Sequence, residues 1–165
     1  METRIVARTA RCLSESGFGT LRFNFRGVGQ SEGVWDQGRG ERLDLGAALD
    51  YAVGRLPDAQ VSVFGFSFGA LMALEVGIPD ARVESLAIVA PPVRLFSDEV
   101  IARVPKPMLV VGAGRDEIVE PGSLRDWAEN VKGPSDFRMF DEADHLFSSQ
   151  SDEVAQIVTH FLRQA

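Results

Sequence analysis

Apolar positions along the chain follow two alternating rhythms. Ile5, Val6, Thr9, Cys12 and Leu13 recur at helical spacing over residues 3–16, and Gly17 and Gly19 end that run. Residues 21–25 read as a short strand and lead into a glycine-rich loop at 26–33. Leu45, Ala48, Leu49, Ala52, Val53 and Leu56 mark a second helix over 41–56. A strand at 61–64 follows, with a helix over 70–76 behind it. The next strand, 86–89, is ended by Pro91 and Pro92, and another covers 108–111. Leu124, Trp127, Ala128 and Val131 then predict a helix, residues 137–140 a strand, and Val154, Ile157, Val158, Phe161 and Leu162 a final helix.

Strands separated by helices require crossover connections. The predicted class is therefore α/β, a mainly parallel sheet with helices on both faces. No repeat, linker or low-complexity stretch divides the 165 residues, so residues 1–165 are expected to form a single domain. In such sheets ligands bind at the carboxyl ends of the strands. Reactive side chains are therefore sought just after each strand.

Gly65-Phe66-Ser67-Phe68-Gly69 lies between a predicted strand and a predicted helix. A serine exposed at the top of a sheet needs a very tight strand-to-helix turn, and glycine is expected two positions before and two after it. The backbone N–H of Phe68, in the first turn of the helix, is placed to stabilise an oxyanion at Ser67. A serine hydroxyl needs a base, and the base needs a carboxylate to orient it. Of the two histidines, His160 falls inside the last helix, whereas His145 lies in the loop after the last strand. Asp116, Glu117 and Glu120 all follow strand 108–111. Asp116 is preferred because it comes first after the Gly112-Ala113-Gly114 turn. The resulting order is Ser67, Asp116, His145.

With these residues in place, the chain resembles the α/β-hydrolase superfamily, close to its small lidless dienelactone-hydrolase and serine-aminopeptidase-like branches. The resemblance rests on four marks: Arg22-Phe23-Asn24-Phe25-Arg26-Gly27 with Gly29, Ser31 and Gly33; the Gly65 to Gly69 elbow; Gly114-Arg115-Asp116 with Val119 and Pro121; and Asp144-His145. It implies that Ser67 is the nucleophile, His145 the base and Asp116 the acid of a serine esterase-like hydrolase working through an acyl-enzyme. It also implies a strand and loop ahead of the first helix that supply a second oxyanion donor. That strand would lie between residues 21–25 and 61–64. Nothing in this sequence corresponds to it. Three explanations are open: a start placed too late, with roughly 35–50 residues ahead of Met1; a shortened protein whose two neighbouring strands close the gap; or an impaired copy that binds without catalysing.

Between Ala90 and Pro107 there is no room for the helical lid that many members of the superfamily insert, so a small or accessible acyl substrate is expected. Phe66, Trp35 and Leu146 are candidate substrate contacts. Trp35 fits either the substrate mouth or the edge of the core, and one of Phe66 and Phe68 belongs to the core while the other faces the pocket.

Composition narrows the field further. At 45% apolar and 25% charged residues the chain is globular rather than disordered. The net charge of −7 and the lack of a basic stripe argue against nucleic acid as a partner. No apolar run reaches the length of a membrane span. Cys12 is the only cysteine and has no internal disulfide partner; it is read as core packing in a cytoplasmic protein. Gly27-Val28-Gly29 lacks the spacing of a nucleotide loop, and Asp141, Glu142 and Asp144 lack a second histidine or cysteine at ligand spacing. No cofactor and no metal are expected. Nothing in the sequence specifies an oligomeric state.

Overall fold

The structure, a computed structural model, describes residues 3–96 and 104–165. Among them four strands form one parallel sheet: β1 (Val61–Phe66), β2 (Val83–Val89), β3 (Met108–Ala113) and β4 (Ser135–Phe140), side by side in chain order. The helices are α1 (Arg4–Glu15), α2 (Arg39–Arg55), α3 (Phe68–Gly77), α4 (Pro121–Asn130) and α5 (Ser151–Leu162), with a short 3₁₀ turn at Val93–Leu95. No described helix is long and apolar enough to cross a membrane.

Side chains of a strand alternate between faces, and the two central strands show how that divides the core. Leu86, Ile88, Met108 and Val110 point into one cluster with Leu71, Leu74 and Leu124 from α3 and α4. Ala87, Val89, Leu109 and Val111 point into the other with Ile5, Leu13, Val154 and Val158 from α1 and α5. Both faces of β3 are buried, so it reads as an unbroken apolar run. Helix α3 is buried over most of its length, Ala70 to Leu74 included. Helix α2 is tied to it by Arg42, whose guanidinium donates to both oxygens of Glu75 at 2.6 and 3.0 Å.

Residues 21–25 depart from expectation. They are extended in sequence character but belong to no strand, because no strand lies against them among the described residues. Leu21 and Phe23 are exposed, 46% and 39%, where a paired strand would cover them. The two neighbours of the expected strand have not closed the gap: β1 pairs with β2 alone. The other elements fall where the periodicity predicts, with shifted ends. Strand β1 runs on to Phe66, and α3 begins at Phe68 rather than near residue 70. Cys12 is half-buried rather than fully packed. Part of the lidless segment, residues 97–103, lies outside the described residues.

Candidate active site

Ser67 occupies the turn between β1 and α3 with φ 51° and ψ −119°, a backbone conformation costly for a residue bearing a Cβ. The turn is held on both sides. Ser67 N–H donates to Val89 O of the neighbouring strand at 2.8 Å, and Ser67 O accepts from Ala70 N–H at 2.8 Å. A Cβ at position 65 would stand 2.3 Å from the backbone oxygen of Gly69, so glycine is required there. Position 69 differs from expectation: a Cβ there would meet nothing within 4 Å. Phe68 N–H sits at the first helical position, among the amides that a helix leaves without an intrahelical acceptor.

The other two residues come from the loops after β3 and β4, which are joined by backbone hydrogen bonds. Gly114 N–H donates to Phe140 O at 2.8 Å and Arg115 N–H to Ala143 O at 2.9 Å. Asp116 turns its carboxylate inward, where Oδ1 accepts from the N–H groups of Ile118 and Val119 at 2.8 and 2.7 Å. His145 is anchored by its neighbours: Phe147 is fully buried, and Ser148 N–H donates to Asp144 Oδ1 at 2.9 Å. These bonds leave each side chain little freedom.

The three side chains meet. His145 Nδ1 donates to Asp116 Oδ2 at 2.8 Å, and His145 Nε2 lies 3.1 Å from Ser67 Oγ. A carboxylate only accepts, so the proton sits on Nδ1 and Nε2 is left as acceptor for the serine hydroxyl. The imidazole and carboxylate side chains are 5% and 2% exposed. The arrangement suits proton abstraction from Ser67 in a site that largely excludes water.

The remaining candidates divide clearly. Phe66 packs beside the imidazole, ring centres 5.3 Å apart, and contributes to the α1/α5 cluster. Phe68 points to the opposite cluster and is held between Phe25 at 5.5 Å and Trp35 at 4.7 Å. Trp35, packed against Phe68, is 59% exposed, and Leu146, next to His145 in the chain, is 56% exposed. Glu117 is exposed, Glu120 caps α4 by accepting from Gly122 and Ser123 N–H, and His160 is exposed on α5. Asp141 and Glu142 pair with Arg125 and Arg115. Among the described residues no group of three or more His, Cys, Asp or Glu side chains is arranged to hold a metal.

Sequence reasoning missed the brace that holds the Trp35 loop. Glu41 is fully buried and accepts from Asp36 N–H at 2.9 Å and Gly38 N–H at 2.8 Å. Burial pushes its carboxyl up, but the amides of Asp36, Glu41 and Gly38 and the charge of Arg26 outweigh that, and its pKa lies below the usual carboxylate range. Arg26 lies across Gly40 and binds both oxygens of Asp44, with Nη2–Oδ1 at 2.8 Å. The available signal was the spacing Gly38 to Glu41, that of a capping box.

A sequence model of the α/β-hydrolase fold matches residues 4–106. The chain belongs to the α/β-hydrolase family. An α-β serine hydrolase homologue from Coxiella burnetii is 32% identical and superimposes with a TM-score of 0.91 over 98% of this chain and 77% of its own. An α/β serine hydrolase without a lid from Xanthomonas campestris is 32% identical, TM-score 0.88, over 99% of this chain and 74% of its own. An uncharacterized protein of Rickettsia prowazekii is 30% identical over 98% of this chain and 72% of its own length. This hydrolase-fold chain thus spans about three quarters of these relatives.

Proposed function

We propose that this protein hydrolyses an ester-like acyl bond of a small, accessible substrate, with Ser67, His145 and Asp116 as its catalytic residues. The observation that carries the reading is the continuous bond path from carboxylate to imidazole to hydroxyl, 2.8 Å and then 3.1 Å. Ser67 Oγ attacks the carbonyl carbon while its proton passes to His145 Nε2, and the carbonyl electron pair moves onto oxygen. Asp116 holds the imidazole tautomer and stabilises the imidazolium. The oxyanion is bound by Phe68 N–H. Collapse of the adduct breaks the bond to the leaving oxygen, which takes the proton from His145. Water then attacks the acyl-enzyme with His145 again as base, releasing the acid and restoring Ser67.

Trp35, packed on Phe68 next to the serine in the chain, and Leu146, next to the histidine, are exposed apolar residues that favour substrates with an apolar acyl or aryl group. The net charge of −7 disfavours anionic ones by long-range repulsion. We place the reaction in a reducing, cytoplasmic setting. A fluorophosphonate probe tests the proposal: labelling at Ser67 that disappears in Ser67→Ala is the expected result. Labelling that persists in the variant would place the reactive nucleophile elsewhere, and none in either protein would favour instead a non-catalytic binding protein on the same fold.

A further inference from the structure

Glu41 is charged, fully buried and unused by the path from Asp116 to Ser67. At the third position of α2 a carboxylate that caps the helix needs one bond, here from Gly38 N–H at 2.8 Å. Its other oxygen reaches past the helix and accepts from Asp36 N–H at 2.9 Å, next to Trp35 in the chain. The Trp35 ring lies 4.7 Å from that of Phe68, centre to centre, and Phe25 meets Phe68 at 5.5 Å. Phe68 carries the N–H that binds the oxyanion in the hydrolytic reading. We propose that Glu41 is a positioning residue of this site: it fixes the loop that holds Trp35 against Phe68, and so sets where the Phe68 N–H stands. This role rests on the hydrolytic reading and acts on turnover rather than on substrate binding.

The loop does not hold itself. Gln37 has φ 54° and Gly38 φ 92°, two consecutive left-handed residues, the first of them bearing a Cβ. Such strain persists only where the surroundings enforce it. The enforcing group must accept twice, because two N–H groups converge on it. A carboxylate accepts on both oxygens, whereas a carboxamide would turn an NH2 donor onto one of the two N–H groups. Arg26 offsets the burial of that charge. It lies across Gly40 so closely that position 40 has no room for a Cβ. Asp44 holds Arg26 there, accepting from its backbone N–H at 2.9 Å and from its guanidinium at 2.8 Å.

The far end of this series of contacts is the head of α3. Ser67 O accepts from Ala70 N–H at 2.8 Å, so the peptide that ends in Phe68 N–H moves with the first turn of the helix. On the β2 side that turn is held by the bond from Ser67 N–H to Val89 O. On the outer side Phe68 is held by its ring, edge-on to Phe25 and Trp35 at 77° and 63°. A small displacement of Phe68 lengthens the hydrogen bond to the oxyanion. That bond is strongest in the transition state, so its loss slows the reaction and leaves ground-state binding as it was.

Steady-state hydrolysis of a short-chain acetyl ester tests the proposal, with each variant's fold checked by circular dichroism. Glu41→Gln should lower kcat by about 10- to 100-fold and change KM by less than about twofold. Trp35→Ala should lower kcat by a similar factor. Adding Glu41→Gln to Trp35→Ala should lower kcat no further, because the two residues act in series. A trifluoromethyl ketone, which closes on Ser67 as a tetrahedral oxyanion, should lose affinity in Glu41→Gln by the same factor as kcat/KM. Arg42→Gln, which removes the exposed pair between α2 and Glu75 of α3, should stay within about twofold of the parent. Asp44→Asn loosens Arg26 while keeping the carboxylate; it should give a smaller loss in kcat, and it stands in for Glu41→Gln if that variant does not fold. An effect confined to KM, an unchanged kcat in Trp35→Ala, full additivity in the double variant, or an equal loss in Arg42→Gln overturns the proposal. A second readout needs no turnover: the Phe68 amide resonance should shift in Glu41→Gln while that of Val110 in β3 stays in place. An unmoved Phe68 amide overturns the assignment. A parent without turnover or fluorophosphonate labelling, in which that amide still moves, sinks the hydrolytic reading and leaves the positioning of Phe68 standing.

Discussion

Strands β4 and β1 occupy the two edges of the sheet, yet only one is built as an edge. Strand β4 alternates exposed Asp136 and Arg138 with half-buried Phe137 and Met139, and its charges discourage further pairing. Strand β1 reads Val-Ser-Val-Phe-Gly-Phe, with no charge and with no residue fully exposed. Its composition is that of an interior strand. On the β4 side, loops tied by backbone hydrogen bonds bring Asp116 and His145 together with little freedom. On the β1 side the serine turn is held from β2, while the outer flank faces a cavity of about 800 Å³. Asp116 and His145 are thus brought together by the closed half of the molecule, while the Ser67 turn borders the open half.

The largest expected effect tests the closed half. Asp116→Asn should lower kcat for a short-chain ester by about 10⁴ by presenting the wrong partner to Nδ1, with an unchanged circular dichroism spectrum. A loss of less than tenfold would mean that the carboxylate does not act through His145.

The two glycines of the elbow sharpen the contrast next. Gly65→Ala pushes a Cβ against backbone that has nowhere to go and should cost about 1–3 kcal/mol or more in urea unfolding. Gly69→Ala, facing that cavity, should stay within about 0.5 kcal/mol. Equal costs at both positions would erase the distinction between the flanks.

Acid titration compares the buried carboxylate of Glu41 on α2 with the exposed one of Glu120 at the head of α4, and its effects should be the smallest. Glu120 is held at about 2 by the hydroxyl and N–H of Ser123 and the N–H of Gly122, and Glu41 is also held below its usual value. A carboxyl whose folded pKa is depressed contributes stability in full above its unfolded pKa, near 4.5, and loses it as pH falls through the folded value. The urea midpoint should therefore drop between about pH 4.5 and pH 2. Glu120→Gln and Glu41→Gln should each lower the midpoint at neutral pH and flatten that drop. A slope unchanged in Glu41→Gln would mean that the brace of the Trp35 loop does not depend on its charge. Trp35 fluorescence gives an independent reading, because a loosened loop exposes the ring further.

Local rules explain why so much of the site was legible beforehand. The alternation of strands and helices follows from side-chain period, which each short segment carries by itself. The need for glycine at position 65 follows from the sterics of one tight turn. The rest depended on distant partners. Residues 21–25 have the composition of a strand, but a strand exists only when another pairs with it, and no sequence window contains that neighbour. The same holds for Gly69, where crowding was expected but a Cβ would meet nothing within 4 Å. Glu41 carried a capping-box spacing, but its burial and its grip on the Trp35 loop depend on how α2 lies against the core.

The sequence by itself determined the α/β order, the position of the serine in a strand-to-helix turn, and the succession of serine, aspartate and histidine, because each is encoded within a few neighbouring residues. Tertiary structure alone decided that residues 67, 116 and 145 come within hydrogen-bond reach and that one edge of the sheet remains unpaired. Those outcomes are set by parallel register and by loop-to-loop hydrogen bonds such as Gly114 to Phe140, which join parts of the chain that local pattern cannot relate.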